Sequence, residues 1–150
     1  MYPTGGSEYD PPRRLRQLTS WLCGQAARKA ERLVGAALAQ HAMRRQHFSV
    51  LTSLSEQGAA SQAALGRRLW IDRSDLHSIL NDLEREGLVE RLRDERDQRR
   101  NVVALTARGT TVLRRLDQEV DAAQATLLAP LSESERRTLH RLLAQLIDAG

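Results

Sequence analysis

The sequence predicts a mainly α-helical fold with one small β-hairpin, and three observations lead there. Hydrophobic residues make up 41% of the 150-residue chain but aromatics only 3%, an Ala-, Leu- and Arg-rich balance that suits helices better than a β-sandwich. Apolar residues recur at helical spacing along most of the chain, then switch to alternation between Leu88 and Thr106. Gly, Ser, Thr and Asp stand at the ends of the periodic segments, where helices start and stop.

Met1 to Pro12 is rich in Gly, Pro and acid and reads as a mobile tail. From Arg13 to about His41, Leu15, Leu18, Leu22, Ala26, Leu33 and Ala37 fall near helical spacing and predict one long helix. A second helix fits Arg45–Gln57, with Phe48, Leu51, Thr52 and Leu54 mostly inward and Gly58 as its stop. Ser61 is placed to cap a short helix through Leu69. Asp72 or Ser74 caps the next, which turns Leu76, Ile79, Leu80 and Leu83 to one face and ends at Gly87. Leu88–Arg93 and Asn101–Thr106 then read as two strands around a charged turn. Thr106 caps a helix to about Ala129, striped by Val112, Leu113, Leu116, Val120, Ala123 and Leu127. Ser132 and Glu135 form a capping-box pattern opening a last helix, with Leu139, Leu142, Leu143, Leu146 and Ile147 expected inward.

Helix, turn, helix and hairpin over Arg45–Thr106 spell a winged helix-turn-helix. We therefore expect a tail over 1–12 and one domain over 13–150. Within it, 45–106 forms the winged lobe, and 13–42 and 107–150 are dimerisation helices too apolar along one edge for a monomer to hide. A single cysteine, Cys23, allows no internal disulfide and suggests a reducing cytoplasm. There is no apolar run of membrane-spanning length and no signal-peptide pattern in the first ten residues.

The net charge of +4 hints at nucleic acid, yet the segment 67–100 carries nine basic and nine acidic residues. The position of each Arg must therefore decide the matter. With the leucine face of the fourth helix inward, Ser74, His77, Ser78, Asn81 and Arg85 are presented outward. Ser, His and Asn there are able to exchange hydrogen bonds with base edges. Asp82, placed on the same outer face, would repel phosphate. Arg67, Arg68 and Arg73 are suited to phosphates. In Asp94-Glu95-Arg96-Asp97-Gln98-Arg99-Arg100, a neighbouring carboxylate at the hairpin tip is suited to aim Arg99 into a narrow minor groove, where the potential is most negative.

Two motifs carry a resemblance. One is Leu83-Glu84-Arg85-Glu86-Gly87-Leu88-Val89-Glu90-Arg91. The other is Asp94-Glu95-Arg96-Asp97-Gln98-Arg99, followed by Leu105-Thr106-Ala107-Arg108-Gly109. In this order and layout, from about Arg13 to Ile147, the chain resembles the MarR family of bacterial transcriptional regulators. The resemblance implies a homodimer binding a pseudo-palindromic DNA operator, often tuned by a small molecule or by oxidation. It implies that Arg99 enters the minor groove, that Asp97 shapes the turn, and that Arg96 and Arg100 meet adjacent phosphates. Effectors of the family bind between the dimerisation helices and the DNA-binding lobe, which here points to Trp21, Arg28, Met43, His47 and Phe48. One branch of the family senses peroxide through a cysteine in the first helix. Cys23 falls about one turn late for that role, with Tyr2 and Tyr9 in the tail as the only tyrosines, so a small buried hydrophobe at the dimer interface is the favoured reading.

His41, His47, His77 and His140 show no metal-ligand spacing, and no cofactor is implied. No Gly-rich phosphate loop or nucleophile–base pair suggests an enzyme. The alternative reading is a winged-helix protein-interaction module, which the neutral 67–100 segment would suit.

Overall fold

The structure is a computed structural model that describes residues 10–150, so the tail expected over 1–12 lies mostly outside the described residues. The elements are α1 (Arg13–Arg16), α2 (Thr19–Ala39), α3 (Arg45–Gln57), α4 (Gln62–Leu69), α5 (Arg73–Arg85), β1 (Val89–Arg93), β2 (Asn101–Leu105), α6 (Ala107–Leu128) and α7 (Glu133–Asp148). The long helix expected from Arg13 is two helices. Leu18 is extended (φ −91°, ψ 116°), while the Gln17 N–H closes the first on the Arg13 and Arg14 carbonyls and the Leu18 N–H on that of Leu15. Periodicity missed the break because Leu15, Leu18 and Leu22 keep helical spacing across it.

The caps follow the chemistry of the sequence. Ser61 accepts from Ala64 N, Asp72 rather than Ser74 accepts from Asp75 N, Thr106 accepts from Gly109 N, and Ser132 with Glu135 forms a capping box. Gly87 (φ 71°) ends α5: its N–H meets Glu84 O, and Leu88 N meets Leu83 O. That last bond is why Leu88 belongs to the helix stop and not to the strand. At the turn between α4 and α5 the left-handed residue is Trp70 (φ 52°), 90% exposed, where Gly is the residue that adopts this conformation without strain. No packing explains Trp there.

β1 and β2 pair antiparallel, Val89 opposite Leu105 and Arg93 opposite Asn101. A third short rung joins them: Ala60 exchanges two backbone hydrogen bonds with Val103, at 3.0 and 2.8 Å, and ties the hairpin to the start of α4. The core lies under this lobe. Val50, Leu51, Leu65, Leu76, Ile79, Leu80, Leu83 and Leu88 pack with Leu38 of α2 and with Leu113 and Leu116 of α6. The buried face of α3 is rotated from the expected one: His47, Val50, Ser53 and Leu54 are buried beside Leu51, whereas Phe48 and Thr52 are only partly so.

α7 departs most from expectation. Leu139, Leu142, Leu143, Leu146 and Ile147, expected inward, are 37–71% exposed, and α7 buries no residue at all. Their stripe has the right spacing but faces away from the chain's own core.

One close approach fixes the wing on the body. Leu88 O lies against Gly109 in the first turn of α6, where a Cβ would overlap that oxygen and crowd the Leu105 side chain. Thr106 stitches the same corner. Its hydroxyl donates to Gly87 O at 2.7 Å, and its N–H donates to Leu88 O at 3.0 Å. Gly109→Ala should therefore destabilise the protein by about 3 kcal/mol, the upper range for overpacking. Urea unfolding checks this; a loss below about 0.5 kcal/mol would mean the corner relaxes freely.

Candidate nucleic-acid interface

Helix α5 offers one exposed face. Ser74, His77, Ser78 and Asn81 all lie on it, exposed, and Arg73 opens the helix. An open concavity of about 1110 Å³ runs beside it, lined by residues that include Arg67, Arg73, Ser74, His77 and Arg91. The structure thus gathers Arg67 and Arg73 with two of the expected base-reading residues. Arg68, Ser78 and Asn81 do not line that hollow.

At the wing tip, Arg96, Asp97, Arg99 and Arg100 are exposed. The carboxylates there do not pair with guanidinium groups. Asp94 Oδ1 accepts from Arg96 N at 3.0 Å, and Asp97 Oδ1 accepts from Arg99 N at 3.1 Å. Asp94 N–Arg100 O (2.8 Å) and Arg100 N–Asp97 O (2.9 Å) close the loop. The alternating signs therefore fold the backbone, as Asp does in turns. The Asp97 bond is a turn contact, and the expected aiming of Arg99 by a carboxylate is corrected: among the described residues no ion pair joins the side chains of Arg96, Arg99 or Arg100.

Asp82 needs a second correction. It does not stand out toward a duplex. Its carboxylate accepts from His47 at 3.0 Å and pairs with Arg85. Three residues beyond buried Ile79, it lies only about 60° round the helix from the core face, which a simple inside–outside division overlooks. His47 is 4% exposed, and Arg44 N donates to its Nδ1 at 3.0 Å. The proton consequently sits on Nε2 and is donated to Asp82. The bond from His47 holds the Asp82 carboxyl below the usual carboxylate range, with Arg85 and Arg44 adding to the effect.

This corner also bears on the expected effector residues. Met43 and His47 line a cavity of about 400 Å³ with His41, Ala42, Asp82, Arg85 and Glu86. Trp21, Arg28 and Phe48 do not line it. His47 is fully engaged, so it shapes the wall and is not a free ligand donor. Cys23, read as a small hydrophobe buried at the dimer interface, is exposed on α2 of the single chain. Among the described residues there is no grouping able to hold a metal ion and no helix long and apolar enough to cross a membrane.

Arg91 is the interface residue without an expected role. Strand alternation from buried Val89 puts it on the face turned to α5. There its Nε donates to Glu84 at 2.9 Å and its Nη2 to Asn81 Oδ1 at 3.3 Å. Counting alternate residues from Val89 could have found it.

Comparison with known proteins fits this arrangement. Residues 43–100 match the MarR family profile. The chain is 33% identical over 99 residues to a transcriptional regulatory protein for the hcr operon of Thauera aromatica, spanning 66% of this chain and 60% of that protein. It is 33% identical over 101 residues to the HTH-type transcriptional regulator FarR of Neisseria gonorrhoeae, 67% of this chain and 69% of that one. The chain belongs to the MarR family. Among solved structures, mutant MarR from E. coli complexed with operator DNA superposes with a TM-score of 0.74 at 27% identity, covering 85% of this chain and 91% of that one. PcaV from Streptomyces coelicolor, in complex with its natural ligand, gives 0.76 at 26% identity over 93% and 99%. These relatives are regulators rather than enzymes.

The His47–Asp82 bond makes a pH-dependent prediction. A carboxylate with a depressed folded pKa adds stability above its unfolded pKa and loses it as pH falls through the folded one. Asp82→Asn keeps an acceptor for Nε2–H but drops the charge. At pH 7 it should be less stable by no more than about 1 kcal/mol, because the side chain is 37% exposed and screened. The gap should close below about pH 4. Chemical denaturation at several pH values measures it; a gap unchanged down to pH 2.5 would contradict this origin.

Proposed function

We propose that this MarR-family protein is a homodimeric, sequence-specific double-stranded-DNA-binding transcriptional regulator, a repressor relieved by a small aromatic ligand and not an enzyme. The observation that carries it is the joint exposure of the α5 polar face and of arginines with no carboxylate partner at the wing tip, on one rigid lobe. A protein-interaction module would have no use for a tip whose aspartates are spent on backbone turns while its arginines stay unpaired. The reading places the protein in the cytoplasm, where the DNA is.

In this reading, Ser74, His77, Ser78 and Asn81 meet base edges in the major groove. Arg67, Arg68 and Arg73 meet phosphates, Arg99 enters the flanking minor groove, and Arg96 and Arg100 hold adjacent phosphates. The exposed leucines of α7, with α1 and the outer part of α2, join a second copy. A 16-residue helix that buries nothing is marginal alone and needs such a partner. Two-fold pairing sets the recognition helices about 34 Å apart, one turn of a pseudo-palindromic operator. Over residues 13–150 the winged lobe at 45–106 reads DNA while 13–42 and 107–150 dimerise.

Relief by ligand follows from the second cavity. Its wall includes Asp82, Arg85 and Glu86 at the end of the recognition helix. A ligand that fits it differently in the two spacings of the lobes shifts their balance. Trp21, Arg28 and Phe48 would join such a site only if the lobes move toward α2.

The test is operator binding against salt. Affinity should fall steeply as salt rises, through counterion release. Arg99→Ala should weaken binding by about tenfold to hundredfold and lower the salt slope by about 1 per half-site. Unchanged specific affinity in Arg99→Ala would overturn the wing assignment.

A further inference from the structure

Arg91 and Asn81 together present an arrangement that neither residue has alone. Arg91 reaches from the middle of β1, opposite Val103, across to the outer face of α5. Glu84 accepts from its Nε at 2.9 Å and so orients the guanidinium. Nη2 then lies 3.3 Å from Asn81 Oδ1. An arginine donates and never accepts, so the amide atom it faces must be the carbonyl oxygen. The orientation of the Asn81 amide is thereby set, with its NH2 group on the side away from Arg91.

Orientation matters because an unrestrained Asn reads adenine with one acceptor and one donor, Oδ1 taking a proton from N6 while Nδ2 gives one to N7. Here a guanidinium sits on the acceptor side. An adenine amino group brought there would meet another set of donors. Beside Oδ1, the pair instead offers N–H groups from both residues. Guanine, whose O6 and N7 are both acceptors, is the major-groove edge that matches. Arg91 also lines the concavity that holds Arg73, Ser74 and His77, so its guanidinium belongs to the same surface.

We propose that Arg91 is a specificity-determining residue: anchored by Glu84, it turns Asn81 from an adenine reader into one half of a donor pair selecting guanine at one position of each operator half-site. This rests on α5 entering the major groove. Arg91 acts on the base partly through Asn81, so its signature is a change of preference at a single position, which a merely structural role would not produce.

The experiment selects binding sites from randomised duplex DNA with the full-length protein and four variants, and compares base preference position by position. Asn81→Ala identifies the position that Asn81 reads. At that position the wild type should prefer guanine, and Arg91→Met should move the preference to adenine by about tenfold, the scale of one good base contact. Arg91→Lys keeps the charge but loses the fork that grips Glu84 and Asn81 at once, and should show the same shift with the wild-type salt dependence. Glu84→Gln, which loosens the anchor, should weaken the guanine preference. Thermal unfolding of each variant confirms an intact fold, as expected for pairs this exposed. Adenine preferred by the wild type at that position, or an unaltered profile in Arg91→Met, would overturn the proposal while leaving DNA binding by α5 intact. If Asn81→Ala changes no position at all, α5 is not reading bases through Asn81, and both this proposal and that part of the functional reading fall.

Discussion

The wing depends on one contact between two backbones, Leu88 O against Gly109. Everything beyond it on the hairpin is held by a two-stranded ribbon, which in isolation is barely stable. The corner succeeds because three requirements coincide there. Gly87 supplies the left-handed turn that stops α5, Gly109 leaves room for a carbonyl, and Thr106 caps α6 while bonding back to Gly87. The Ala60–Val103 rung adds a second attachment. A rigid base lets a polar tip stand in solvent with its arginines uncommitted.

The recognition helix is held from both flanks. On the body side, buried His47 donates to Asp82, and the same ring accepts from Arg44 N at the start of α3. On the wing side, Arg91 holds Glu84 and Asn81. A change in the neighbouring cavity would therefore be felt at the Asp82 end of α5, and a shift of the hairpin at the Asn81 face. Such paired attachments give a binding site the supporting contacts that keep its side chains in place.

Much of this was legible in the sequence, for identifiable reasons. Caps and stops were readable because Ser61, Thr106, Ser132 and Gly87 have local chemistry that admits few alternatives. The wing was readable because the period changed. What escaped depended on contacts between distant residues. Asp82 looked solvent-facing until His47, 35 positions earlier, took its proton-accepting side. A tip carboxylate looked like the aim for Arg99, but Asp94 and Asp97 both accept from backbone amides two residues on. The leucines of α7 gave the correct stripe but not its direction, since spacing shows that a face is apolar and not what it faces. The break at Leu18 was hidden because helical spacing persists across one extended residue.

The most direct test of the account is hydroxyl-radical footprinting of the purified protein on duplex DNA that it selects at low salt. Two recognition helices one turn apart, each with its wing in the adjoining minor groove, predict protected patches on one face of the duplex, two-fold related and spaced by about 10 base pairs, with outer minor-groove protection. Loss of only the outer patches in Arg99→Ala would match the wing as described. Uniform protection, or none at any salt concentration, would contradict the central claim.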